Sequence, residues 1–323
     1  MIKKYKALII GAGKIAAFFD KPKDTNILTH AHAYSAHKNF EIAGFVDVDL
    51  NKARGAAKVW GSAAFLSISD AYKSLKDIDV VSVCAPDEKH FKILKEIAKF
   101  KPKIVFCEKP ITNSAKEAQE IISLYEKKDI ALLINYSRRF VGEIQDLHKE
   151  IKGGAFGELL TGSAYYGKGL VHNGSHMIDL IRFLVGEINS AGVYKKEADF
   201  FKQDASVSAR LTLENNKIIN LSYINCNNFS IFELDLFFEK GRVRLIDSSG
   251  KIERFTRAKS QIYKGYRYLE RESVIRTSLG RAMYGAVENI YGFLSKKSQL
   301  SCPAQEAYQD LSWALKIQNK KIK

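Results

Sequence analysis

Three clusters in this chain carry groups suited to chemistry. Lys109 stands in Glu108-Lys109-Pro110, directly after the strand-like run from Lys103 to Cys107. A lysine held by a proline turn at the carboxyl end of a strand lies where open α/β sheets bind ligands. Gly11-Ala12-Gly13-Lys14-Ile15-Ala16 follows the first apolar run. Small residues there let backbone N–H groups approach a pyrophosphate. The third cluster, His172-Asn173-Gly174-Ser175-His176, opens a later helical pattern. It puts His176 in a first helical turn, where an imidazole of near-neutral pKa can exchange protons.

These groups need strands to hold them, and the pattern supplies strands. Up to about residue 137, apolar runs (7–10, 42–46, 64–66, 80–84, 104–107 and 130–134) alternate with amphipathic helical segments. That alternation is the mark of βαβ units and a doubly wound parallel sheet covered on both faces. Beyond about residue 150 the period changes to two, as in 206–213 and 232–238. Period-two segments predict a large, mainly antiparallel open sheet with one buried face. Asn215-Asn216 and Lys240-Gly241 supply its turns. Two helices are expected at the end, over 283–296 and 304–319. The polar residues Ser206, Ser208, Arg210 and Thr212 fall on the alternate face, either solvated or covered by a second subunit.

The glycine turn gains meaning from its partner. Asp47 closes the second strand, where a carboxylate accepts hydrogen bonds from ribose hydroxyls and repels a 2′-phosphate. NAD is therefore expected over NADP. Asp49 is the alternative reader, with helix N-cap as its plain role. The segment Asp20–Asn26, with Pro22, interrupts the first helix and lengthens the interval to Asp47. It is either a surface excursion or a loop that brings Lys21 or Lys23 over the pyrophosphate.

Together the glycine turn, Cys84-Ala85-Pro86-Asp87-Glu88-Lys89-His90, Glu108-Lys109-Pro110 and Gly174-Ser175-His176-Met177-Ile178-Asp179 resemble the Gfo/Idh/MocA oxidoreductase family over essentially the full length. The resemblance implies an NAD-binding Rossmann domain over 1–125. A substrate-binding and oligomerisation domain with the C-terminal helices follows over 126–323. It also implies a sugar, inositol or related polyol as substrate. Cofactor contacts are expected from Gly11, Ala12, Gly13, Lys14, Ile15, Asp47, Ala85, Pro86, His90 and Glu108. Lys109 would polarise the reacting oxygen while His176 acts as acid/base; Asp179 would orient that ring or pair with Arg182. Substrate contacts would come from His172, Asn173 and the run Asn135, Tyr136, Arg138 and Arg139. Asn173 is also the expected N-cap of the helix.

Two departures from the family pattern stand out. His172 occupies a position where many polyol-oxidising relatives carry aspartate, and Asp87 replaces a common asparagine. Two histidines near Lys109, with Arg138 and Arg139, hint at an anionic substrate such as a sugar acid or nucleotide sugar; each arginine could instead serve an interdomain ion pair.

The bulk numbers narrow the alternatives. Four scattered cysteines without metal-like spacing favour free thiols in a reducing cytoplasm and indicate no metal site. The first apolar stretch is too short for a signal or membrane segment. The net charge of +15 is spread along the chain without a nucleic-acid-binding pattern, so a lysine-rich solvated surface is the expectation. A homodimer or homotetramer is expected. A non-catalytic NAD- and ligand-binding protein is the alternative function.

Overall fold

Apolar runs become strands, and two of them, 80–83 and 104–107, are buried at every position. Across the described residues, 4–322 of this computed structural model, six apolar runs form one parallel sheet. They are β1 (Tyr5–Ile10), β2 (Phe40–Val46), β3 (Ala63–Phe65), β4 (Val80–Val83), β5 (Ile104–Cys107) and β6 (Ala131–Ile134). Their order is β3-β2-β1-β4-β5-β6, so the chain reverses direction across the sheet between β1 and β4. That switch point opens a crevice at the carboxyl ends of the strands. Helices α1 (His30–Ala36), α2 (Leu50–Trp60), α3 (Ile68–Ser74), α4 (His90–Ile97) and α5 (Ala115–Lys127) connect the strands. Their caps follow the sequence: Thr29, Asp49, Ser67 and Ser114 each accept a backbone N–H of the first turn.

The second sheet has eight strands in the order β14-β13-β12-β11-β7-β10-β9-β8. It comprises β7 (Leu159–Tyr166), β8 (Ile188–Phe201), β9 (Asp204–Leu213), β10 (Ile218–Tyr223), β11 (Glu233–Phe238), β12 (Gly241–Ile246), β13 (Lys251–Lys259) and β14 (Arg267–Arg276). Only β7 and β10 pair in parallel. In β11 and β12 every second residue is buried. The opposite face carries cross-strand ion pairs, Arg242 on Asp235 and Arg244 on Glu253. Helices α6 (Gly142–Lys152) and α7 (Ser175–Val185) belong with this sheet; α8 (Ala282–Leu294) and α9 (Ala304–Asn319) follow β14.

The chain divides into two compact units, Met1–Phe140 with Gly280–Gln309, and Val141–Leu279 with Asp310–Lys323. The sequence places the boundary at 125/126 and assigns both last helices to the second domain. The structure instead keeps β6 and the turn after it in the first unit, and α8 returns to it. Tyr5 meets the Tyr291 ring edge-on and His37 bonds Glu288, both partners on α8. Such returns are invisible to local pattern because the contacts span about 250 residues of sequence.

Two finer expectations are corrected. Ser206 and Ser208 are buried rather than solvated: Ser206 bridges Gly169 N–H and Asp199, and Ser208 accepts from Tyr223 N–H. The helix after β1 is a single π-helical turn, Lys14–Phe18, already finished before Asp20.

Candidate functional site

The glycine turn sits where β1 ends, beside β2 and β4. Gly11 has φ +89, and a Cβ there would meet the Cys84 carbonyl at 2.8 Å and the Ala85 nitrogen at 2.9 Å. Glycine is thus required by both conformation and space. Gly13 is different, because nothing lies within 4 Å of a Cβ built on it. It opens into a cleft of about 780 Å³ lined by Gly11, Gly13, Lys14, Ile15, Asp47, Ala85, Pro86 and side chains that include Lys52, Leu66 and Lys92. Seven of the ten expected cofactor residues therefore share one wall. Ala12, Glu108 and His90 do not line it.

Asp47 closes that wall with its carboxylate shared between two amides. Ala12 N–H donates to Oδ2 at 2.8 Å, and Asp49 N–H donates to Oδ1 at 2.9 Å. One side chain thereby fixes the glycine turn and faces the cleft. Asp49 is the N-cap of α2, bonding Asn51 N–H. Lys21–Asn26 are exposed, and neither Lys21 nor Lys23 lines the cleft. The loop is anchored from below by buried Asp20, which accepts from Thr29 Oγ1 at 2.6 Å, from Leu28 and Thr29 N–H, and pairs with His32 at 2.9 Å. The arrangement fits a dinucleotide: an unobstructed backbone approach at Gly13, a carboxylate at the strand end and lysines along the wall.

Glu108-Lys109-Pro110 leaves β5 with a cis peptide at Lys109–Pro110. Lys109 is half-buried. Glu108 faces inward: its Oε1 accepts from Asn135 Nδ2 at 2.6 Å and from His30 Nε2 at 2.9 Å. Burial alone would lift its carboxyl pKa. The His30 and Asn135 hydrogen bonds, with Lys109 nearby, outweigh burial and hold it below the usual carboxylate range. On the other side of the ring His30 Nδ1 lies 3.1 Å from the Ser82 hydroxyl, which Tyr34 also bonds at 2.9 Å. Glu108 and Asn135 are therefore braces under Lys109. His30, Ser82 and Tyr34 escape sequence reading; their one local signal is the capped Thr29-His30 helix start.

His90 is fully buried. Its Nδ1 lies 2.7 Å from the Pro110 carbonyl oxygen and its Nε2 lies 2.9 Å from that of Ala85. Burial would depress its pKa; Cys107 and the two carbonyls outweigh this and push it up to about 10. Cys107 Sγ donates to the Glu108 carbonyl at 3.2 Å and lies 3.7 Å from His90 Nδ1. Asp87, in the same turn, is half-buried; burial raises its carboxyl pKa while His90 and Lys109 pull it down. Cys84 and Cys107 are buried, and desolvation pushes the Cys84 thiol well up, away from nucleophile chemistry.

Arg139 is buried, with Nη1 donating to the Ser301 carbonyl at 3.3 Å and Nη2 to Glu306 at 3.4 Å. It clips the β6 turn to the returning segment within the first unit. Tyr136 beside it is fully buried, while Arg138 is part-exposed.

In the second unit, His172 and Asn173 lie on a π-helical turn, Leu170–Gly174, that runs into α7. Asn173 is not the N-cap. Its amide donates to the Gly167 carbonyl at 2.8 Å, Gly174 occupies the cap position, and Ser175 Oγ donates back to Val171. The His172 ring packs 4.8 Å from Phe201. His176 is part-exposed between buried Ser175 and Met177, and Asp179 is buried. Arg182 forks onto Glu187 at 2.7 and 2.9 Å and pairs with buried Asp310. Burial opposes its charge, yet Glu187 and Asp310 prevail and keep it protonated.

Comparison with known proteins follows the same division. Residues 5–136 match the Gfo/Idh/MocA model, described as an oxidoreductase family with an NAD-binding Rossmann fold. D-glucoside 3-dehydrogenase of Escherichia coli K12 is 26% identical over 56% of this chain and 54% of its own length. Inositol 2-dehydrogenase of Pseudarthrobacter chlorophenolicus is 31% identical over 58% of this chain and 56% of its own. The chain thus spans about half the length of these curated relatives. The crystal structure of the WlbA dehydrogenase from Bordetella pertussis, in complex with NADH and UDP-GlcNAcA, superposes with TM-score 0.76 over 98% of this chain and 95% of that one, at 16% identity. That likeness extends the shared fold through the second unit.

Proposed function

Since residues 5–136 of the chain belong to the Gfo/Idh/MocA oxidoreductases and form their NAD-binding Rossmann fold, we propose that the protein transfers hydride between a nicotinamide dinucleotide and a secondary hydroxyl or ketone of a sugar derivative. The observation that carries the reading is the cleft at Gly13, where a bare backbone, Asp47 and Lys14 meet at the carboxyl ends of β1 and β2. NAD is proposed over NADP because Asp47 presents a carboxylate at that wall.

The dinucleotide, when bound, supplies the hydride acceptor or donor. The chain's own residues handle charge and protons. Lys109 stays ammonium and stabilises negative charge that develops on the reacting oxygen. Glu108 supports that ammonium from inside, itself kept ionised by His30 and Asn135. His176 takes the hydroxyl proton in oxidation and returns it in reduction. Arg138 and His172, each proposed as a substrate contact, are cationic or neutral groups that suit a sugar carrying a carboxylate or phosphate. The names of the relatives support the sugar class: glucoside, inositol and a nucleotide sugar acid.

The test is turnover against a sugar, sugar-acid and nucleotide-sugar panel followed by NADH absorbance. Lys109→Ala and His176→Ala should each lower kcat roughly 10²- to 10⁴-fold while NAD affinity is retained. Near-normal turnover in both would end the reading. NAD that binds but stays unreduced across the whole panel would favour the non-catalytic ligand-binding alternative.

A further inference from the structure

His90 has no contact with the cleft, yet its ring joins the two turns that frame it. Each ring nitrogen lies at hydrogen-bond distance from a backbone carbonyl, 2.7 Å to Pro110 and 2.9 Å to Ala85. A carbonyl oxygen can only accept. A neutral imidazole carries one N–H, so either tautomer would press a bare nitrogen lone pair against an oxygen in a fully buried place. Only the imidazolium satisfies both contacts.

We propose that His90 is a constitutive imidazolium that positions Lys109, bracing the Glu108-Lys109-Pro110 turn against the Cys84-Ala85-Pro86 turn. Pro110 has no N–H of its own, so its carbonyl is the turn's remaining backbone handle. Ala85 belongs to the cleft wall, where Gly11 packs against the same strand end. The ring thus sets the distance between the cofactor wall and the lysine at its two ends. Its charged neighbour is Asp87, which also feels Lys109, Glu88 and Glu108, and the Cys107 sulfur lies 3.7 Å from Nδ1. Asp87 supplies its countercharge. In this chain aspartate at position 87 adds a negative charge that asparagine would not.

The positioning role rests on the proposed hydride transfer, but the charge of the ring can be read without substrate. Nitrogen-15 NMR of histidine-labelled, substrate-free protein, with the His90 signals identified by their loss in His90→Phe, should show both ring nitrogens protonated from neutral pH to above pH 8. An exposed histidine has lost its charge by then, since its pKa is about 6.5. One protonated and one bare nitrogen at pH 7 overturns the proposal whatever the enzyme's substrate. Two variants then test positioning. His90→Phe removes both donors, and His90→Gln keeps one. With NAD saturating, kcat should fall roughly tenfold for Gln and about a hundredfold for Phe. KM for NAD should stay within about threefold, because Gly13 and Asp47 are untouched. Carbon-13 NMR of reductively methylated protein should also show the Lys109 amine signal moved in both variants. Unchanged kcat and an unmoved Lys109 signal in His90→Gln, the milder replacement, would overturn positioning even if the Phe variant does not fold. Absence of turnover in the wild type with any sugar would count against the proposed function alone, leaving the two NMR results to decide this one.

Discussion

Each unit contains a strand that ends in a five-residue π-helical turn, and the two turns are treated in opposite ways. In the first unit Lys14–Phe18 follows Gly13, and the turn faces open space. In the second unit Leu170–Gly174 follows Gly169, and two carboxylates of the chain close it. Asp204 accepts from Val171 N–H at 2.9 Å and His172 N–H at 2.7 Å. Asp199 accepts from Lys168 N–H at 2.8 Å and Gly169 N–H at 3.3 Å. A ring of backbone donors is an anion site in either case. The open one leaves its backbone accessible, as the proposed dinucleotide site requires; the closed one spends its donors internally and becomes a rigid mount for His172 and His176. Chemistry by backbone and chemistry by side chain thus begin from the same local shape.

The largest effects should come from violating each turn's own requirement. Gly11→Ala forces a side chain into the Cys84 carbonyl at positive φ and should cost about 3 kcal/mol or more of stability, read from urea midpoints. Gly13→Ala tests the contrast: it should leave stability within about 0.5 kcal/mol yet weaken NAD binding tenfold or more. If Gly13→Ala binds NAD normally, the first turn is not a ligand site. Asp204→Ala strands two amides of the second turn and should cost roughly 2 kcal/mol or more. It should also reduce activity; a variant that loses stability but keeps full kcat would separate the mount from the proposed role of His176.

Smaller effects concern ionisation and cofactor choice. Glu108 has a folded pKa below its unfolded value of about 4.3, so its contribution is present above that pH and fades as pH falls through the folded value. Glu108→Gln should therefore flatten the loss of stability between about pH 5 and 3. His90 has the opposite sign. Its pKa is raised to about 10, so its stabilisation is complete below about 6.5 and declines as pH rises toward 10. His90→Phe should remove that alkaline limb in thermal melts. Least in size, Asp47→Ala should cost roughly 1 kcal/mol through Ala12 N–H and narrow any preference for NAD over NADP. A preference left intact would move cofactor reading to Lys52 or Ser67.

Much of the first unit is legible locally because its information is local. Strand, glycine turn and strand-end acid fall within the first 47 residues, and all six strands appear as apolar runs. Asp49 as a cap also follows from its neighbours. The second unit resists because the bonds that shape its site cross long intervals: Asp204 to His172, Asp199 to Lys168, Arg182 to Asp310. Nothing around Asp199 or Asp204 marks them as braces. Asn173 shows the same limit: beside a helix start it reads as a cap, but its amide turns to Gly167.

By itself the sequence determined the strands, the parallel and antiparallel periods, the glycine turn and the chemical identities of Lys109 and His176. Periodicity and backbone sterics act between near neighbours, so a linear string carries them. Tertiary structure alone decided that 280–309 returns to the first unit, that Arg139 and Glu108 face inward, and that His90 meets two carbonyls at once. Hydrogen-bond partners and protonation depend on which groups are brought together and which are removed from water, and those are properties of the folded chain.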